Sequence, residues 1–180
     1  MKRDLKSCYG TGMKTFFAML LCVTLTAFGA SNAFARGVQD KSLECYKEIA
    51  QTLVHATATG LGEILKEVKS EEQKVAFIRT FINPIRFYPD QSGYFYAYDF
   101  QCVNIAHATQ KELVGKNLND HKDVKGKYVV RELSAASKKG GGFVEFYWVK
   151  PGSKGEKKKL GYVEPIPGTK YFIGTGVYLP

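Results

Sequence analysis

Between residues 86 and 162 the chain sets out polar-tipped aromatics and cations at strand spacing. Tyr94, Tyr96 and Tyr98 alternate with Phe95 and Ala97, so three phenols fall on one face of a strand. A buried phenol needs a hydrogen-bond partner. That face therefore meets something polar, whether protein, water or a guest. Trp148 and Lys150 share a face of a later strand, Leu160 and Tyr162 share a face of the next, and Lys159 stands at its start. Arg86 precedes the tyrosine strand, and His107 closes the strand after it. Apolar walls with a few converging donors describe a small-molecule pocket, and cationic donors favour an anionic guest. The candidate ligand-binding set is Arg86, Tyr94, Tyr96, His107, Trp148, Lys150, Lys159 and Tyr162. The alternative is a core whose phenols are satisfied by protein, with solvated lysines around it.

Other chemistries find little support. His55, His107 and His121 are far apart and lack metal-ligand spacing, so no metal site and no cofactor is expected. Asp120, His121, Lys122 and Asp123 have turn composition and read as a solvated loop. Ser134 and Ser137 lack the strained elbow of a nucleophilic serine. The glycines at 140–142 follow a helix, the wrong end to hold a phosphate. Glu145 and Glu164 are a conceivable acid–base pair with nothing in the sequence to set them face to face. No catalytic residue is assigned and no enzyme is expected. The net charge of +9 owes much to Lys2, Arg3, Lys6 and Lys14 near the start and to Lys154 and residues 157–159 at a turn-like tip. Basic residues are not interleaved with stacking aromatics across a face, so nucleic acid is not an expected partner.

The elements that must carry these residues are legible from periodicity. Apolar residues from Leu43 to Val68 recur at helical spacing, with Gly60 and Gly62 marking a kink or a close contact. Ser70 followed by Gln73 opens a second helix with a capping box, and Asn83-Pro84 stops it. Strands are predicted at 93–99, 102–107, 142–150, 159–164 and 171–178, with a helix at about 127–138 closed by glycines. Helices first, then five strands with one helix among them, predict an α+β domain.

The first 35 residues stand apart. A basic start, an apolar run over 16–28 and the ending Ala33-Phe34-Ala35 have the layout of a cleavable secretory signal, with cleavage after Ala35. Met13 serves as a start as well as Met1. An uncleaved anchor is the alternative, although the run is shorter than the ~20 residues of a spanning helix. The mature chain is thus expected to be periplasmic or secreted. Cys8 and Cys22 leave with the leader; Cys45 and Cys102 remain, either as one disulfide or as two separately buried thiols.

From Arg86 to Tyr178 the chain resembles the single Cache domain of the extracellular part of bacterial chemoreceptors and sensor kinases. The resemblance rests on Arg86 with the run Gly93 to Asp99, on His107 with Glu112-Leu-Val-Gly-Lys-Asn-Leu118, on residues 140–152, on Lys159-Leu-Gly-Tyr162 and on Ile173 to Tyr178. It implies a PAS-like fold: a five-stranded antiparallel-type sheet, a long N-terminal helix on one face and a ligand pocket on the other. The organisation expected is signal peptide 1–35, helical segment 36–83 and ligand-binding core 84–180. The implied role is a sensor module in chemotaxis or related signal transduction. It would bind a short organic acid and signal through a separate membrane-bound receptor or kinase, because no transmembrane exit follows. The alternative is a structural or interaction protein that keeps the fold without a working pocket. Glu164, if it faced inward, would neutralise a pocket cation and favour an amine. The resemblance also implies first and last strands side by side and parallel, which would bring Cys102 to the start of the long helix and join it to Cys45. Gln101-Cys102 replaces an Asp-Gly turn of the family.

Overall fold

The computed structural model describes residues 30–179, with side chains from Ser42 onward. The chain divides into two compact units, Met1–Tyr46 and Lys47–Pro180. The first contributes, among the described residues, the opening of helix α1 (Ala30–Leu65). The second holds the rest of α1, helix α2 (Glu71–Ile82), strands β1 (Tyr96–Asp99) and β2 (Asn104–His107), helix α3 (Val129–Lys138) and strands β3 (Gly142–Val149), β4 (Glu156–Pro165) and β5 (Tyr171–Tyr178). The predicted leader falls on residues largely outside the description. No helix among the described residues is long and apolar enough to cross a membrane.

The five strands form one antiparallel sheet in the order β2-β1-β5-β4-β3. Strand alternation divides its side chains between two cores. Phe95, Ala97, Tyr162, Tyr171 and Ile173 pack with Ala50, Val54, Ala58, Leu61 and Leu65 of α1 and with Ile78 and Ile82 of α2. Tyr94, Tyr96, Tyr98, Phe146, Trp148, Val163 and Phe172 pack on the other face, with Val129, Val130 and Leu133 of α3. The α1 contacts recur every three or four residues, the apolar stripe of a helix laid on a sheet. Helix α2 starts at Ser70, whose hydroxyl accepts the Gln73 N–H, and is capped at Asn83.

The two glycines of α1 play different parts. A methyl at Gly62 would stand 2.9 Å from Cδ of Pro167 and 3.1 Å from its carbonyl oxygen, whereas one at Gly60 would meet nothing within 4 Å. The proline ring cannot rotate away. Gly60→Ala is therefore expected to stabilise the fold by up to ~1 kcal/mol through helix propensity. Gly62→Ala is expected to destabilise it by about 1–3 kcal/mol through overpacking, despite the same propensity gain. Thermal melts of the two variants check this; equal shifts would show that the helix does not rest on Pro167 as described.

Three expectations are corrected. β1 does neighbour β5, but antiparallel, with Tyr96 opposite Gly174 and Asp99 opposite Tyr171. The turn after β1 therefore lies beside the start of β5, not its end. Cys102, in that turn, is a free thiol, so the Cys45–Cys102 disulfide is not formed. Its side chain is buried in the α3-side core rather than against α1, and burial pushes its pKa up. Its φ of 69° is the left-handed backbone that glycine adopts most readily, which fits its place in a turn of Asp-Gly type. Lastly, Asp123 is not a solvated loop residue but a buried one. Its carboxylate accepts the N–H groups of Lys125, Lys127 and Tyr147, each at 2.9 Å, and so ties the loop before α3 to the edge of β3. Burial alone would raise its pKa, but these donors outweigh that and hold it low.

Candidate ligand-binding pocket

The α3 side of the sheet holds a cavity of about 10 Å³, the room of a single water. Tyr94, Tyr96, Tyr98, His107, Val129, Leu133, Phe146, Trp148 and Lys159 line it. Alternation along the tyrosine strand delivers three phenols to this wall, β2 adds His107, β3 adds Phe146 and Trp148, and α3 closes the other side with Val129 and Leu133. Three strand glycines form the floor. A methyl at Gly174 would stand 2.7 Å from the Tyr96 ring, one at Gly161 2.9 Å from its hydroxyl, and one at Gly176 3.0 Å from Cε of Lys159. Without side chains there, Tyr96 and the Lys159 stem lie flat on the sheet.

The phenols are largely satisfied by protein. Tyr178 donates to the Val149 carbonyl at 2.6 Å, so in its 3.1 Å contact with Tyr94 it accepts the Tyr94 proton. Tyr96 donates to the Thr175 carbonyl at 3.2 Å. Tyr98 lies beside the Asn104 side chain, which offsets part of the effect of its burial. Burial raises the pKa of all three, so they stay neutral phenols. What they offer a guest is ring face and lone pairs.

Two donors remain for the cavity. His107 is buried, and its Nδ1 accepts the Gln110 N–H at 3.0 Å, which assigns the proton to Nε2. Burial, helped by the charges of Lys159 and Arg86, lowers its pKa to about 3, so the ring is a neutral donor. Lys159 is 1% exposed. Its Nζ lies 3.9 Å from the Tyr94 ring centroid, 4.8 Å from Tyr178 and 5.4 Å from Tyr96. Among the described residues no carboxylate forms an ion pair with it. Burial lowers its pKa well below the usual lysine range. Ring faces are worth up to ~2 kcal/mol to a desolvated cation, against several kcal/mol lost in leaving water, so the amine stands short of an anion.

Of the eight sequence candidates, Tyr94, Tyr96, His107, Trp148 and Lys159 line the cavity. Arg86 lies close enough to influence Tyr94 and His107, but its guanidinium is committed to the carbonyls of Asn83, Ile85 and Ala108 at 3.0, 2.7 and 2.6 Å. Lys150 lies outside, paired with Asp90 at 2.8 Å. Tyr162 is on the opposite face, donating to Glu164 at 2.8 Å. It stands three positions after Lys159, and odd spacing on a strand means opposite faces. Glu164 is likewise on the helix side, bonded to His55 at 3.0 Å, and does not neutralise the cavity. Sequence reasoning left out Tyr98, although it shares parity with Tyr94 and Tyr96. It also missed Val129, Leu133 and Phe146, which carry no chemical mark, and the floor glycines, which glycine within a strand does signal.

Residues 38–180 match the family model of the Cache domain. The chain is 35% identical over 111 residues, 62% of its length, to the sensor histidine kinase MctS of Rhizobium johnstonii, covering 23% of that protein. It thus spans less than a quarter of the length of the curated relatives it matches. Among solved structures, a methyl-accepting chemotaxis protein of Vibrio parahaemolyticus superposes with a TM-score of 0.59 at 31% identity, over 83% of this chain and 94% of that one. A Cache chemosensory domain studied for carboxylic acid recognition superposes with a TM-score of 0.65 at 27% identity, over 83% and 98%. Sheet order, the helices on either face and the match over nearly the whole described chain lead to one conclusion: this chain belongs to the Cache domain family.

Proposed function

We propose that the chain is an extracytoplasmic sensor module that holds a short monocarboxylate in the α3-side cavity. It would be exported through a leader cleaved after Ala35, and it would report occupancy to a separate membrane-bound chemoreceptor or kinase. One observation carries the reading: Lys159 is a fully buried amine among aromatic rings with no acidic partner among the described residues. A carboxylate would supply the missing charge, and Nε2–H of His107 would supply a second donor. Arg86 and Lys150 are committed elsewhere, which leaves one cation for one carboxylate. With Glu164 on the far face, no acidic residue among the described ones lines the cavity to favour an amine. The apolar walls of Val129, Leu133 and Phe146 suit a short hydrocarbon tail. Catalysis has no support, and the family acts in sensing.

The small cavity favours a second reading, a Cache fold used for interaction with no working pocket. A thermal-shift screen separates the two. At a hundredfold excess over Kd, a ligand that binds only the folded state stabilises it by about 2.7 kcal/mol, a rise of roughly 5–10 °C. Acetate or propionate is expected to give that rise, while succinate and neutral amino acids give none. No shift with any short monocarboxylate would favour the interaction protein.

A further inference from the structure

We infer that Gln110 is a positioning residue that straps the pocket shut by tying the two edges of the sheet together across its mouth. His107 closes β2, and Trp148 lies in β3, the edge strands at opposite ends of the sheet order. The sheet curls enough to bring their rings to a 6.4 Å stack. Gln110 engages both. Its backbone N–H donates to Nδ1 of His107 at 3.0 Å, and its side-chain Oε1 accepts from Nε1 of Trp148 at 2.6 Å. The first bond fixes the imidazole so that Nε2–H is the free donor. The second commits the indole N–H and holds Trp148, 6% exposed, against the cavity.

The turn that carries Gln110 is anchored at its start, where Arg86 donates to the Ala108 carbonyl at 2.6 Å. It continues into a single 3₁₀ turn at Lys111–Leu113, and the Gln110 side chain supplies a hydrogen bond to the far edge beside the His107–Trp148 stack. A groove of about 430 Å³, walled in part by Arg79, Asn83, Lys111 and His107, borders this turn. His107 lines both spaces, and Gln110 holds its ring from the turn between them. Releasing the Gln110–Trp148 bond would free the indole from the cavity wall, the change that lets a guest leave. Gln110 thereby sets how fast a guest leaves.

The guest part of this inference rests on the monocarboxylate reading; the strap itself does not, and the test keeps them apart. Trp148 is the single tryptophan, so its fluorescence reports the strap alone. In Gln110→Met, which keeps length and loses the acceptor, acrylamide should quench Trp148 several-fold more effectively than in wild type. Gln110→Glu, which keeps an acceptor, should restore the shielding. In stopped-flow with propionate, Gln110→Met should release the ligand about tenfold faster with association little changed, as loss of one hydrogen bond predicts. In a Trp148→Phe background, adding Gln110→Met should cost no further affinity for propionate. Trp148 as shielded in Gln110→Met as in wild type would overturn the strap, as would fully additive losses in the double variant. If wild type binds neither acetate nor propionate, the reading of the guest fails, and the quenching result still decides for or against Gln110.

Discussion

Lys159→Met is expected to melt at a higher temperature than wild type and to bind short carboxylates at least ten- to a hundredfold more weakly. The two effects have one cause. The amine sits 1% exposed beside aromatic rings, with no carboxylate against it among the described residues. Exchanging buried ionic groups for apolar ones of similar volume is often neutral or stabilising, by as much as roughly 1–4 kcal/mol. Methionine fills the same linear space and packs readily against ring edges. Lysine at this position is therefore a cost to the fold, and a cost kept in a binding module points to function. Losing a charged hydrogen bond to a bound anion removes about 1.5–3 kcal/mol, or roughly ten- to a hundredfold in affinity, before any penalty for an unpaired carboxylate is added. Chemical denaturation and propionate titration of the same preparation would check both halves. A variant that is destabilised and still binds would mean that Lys159 is a packing residue.

Acid is expected to unfold the protein through His107 before its carboxylates take part. Burial, with the charges of Lys159 and Arg86, holds the folded imidazole at about 3, against 6.5 for an ordinary histidine. Between those values the unfolded chain binds a proton that the folded chain refuses. Stability is therefore lost as pH falls through that window, by up to ~1.4 kcal/mol per pH unit. Glu71, lowered to about 2 chiefly by its hydrogen bond from Tyr171, adds loss of the same sign only below about 4.5, the ordinary value for its type. Denaturant midpoints between pH 4.5 and 6.5 thus set His107 apart from Glu71, and His107→Gln should flatten them. Lys159 adds a slope of the same sign below its ordinary value. Its folded pKa is depressed, so stability rises as pH climbs toward 10.5. An anion raises that pKa again, so propionate affinity should fall with rising pH, by at most tenfold per unit. Identical slopes in wild type and His107→Gln would remove His107 from the account.

Much of this was legible before any coordinates. The alternation of Tyr94, Tyr96 and Tyr98 against Phe95 and Ala97 is a local property of strands, and it sorted that segment's side chains between the two cores. Ser70 and Gln73 announced α2 for the same local reason. Parity also held information that was not used: it separates Tyr162 from Lys159 and unites Tyr98 with its neighbours. The rest is tertiary. Lys159 and Lys158 sit side by side in a basic run, yet one is buried among rings and the other reaches Glu145 at 2.9 Å. Only the pairing of β4 with β3 and β5 decides which lysine turns inward. Asp123 reads as a turn residue because its partners are backbone N–H groups, which every sequence has. Cys102 was misassigned because strand direction at the β1–β5 seam cannot be counted from residue spacing.

The most direct test of the central claim is a crystal structure of the protein grown with propionate. The account predicts density for the acid between α3 and the sheet. Its carboxylate should lie within hydrogen-bond distance of Lys159 Nζ and His107 Nε2, with its tail against Val129, Leu133 and Phe146, and with Gln110 still bonded to Trp148. A carboxylate bound instead at Arg86 or in the groove beside Lys111, with the ring cage of Lys159 unchanged, would contradict it.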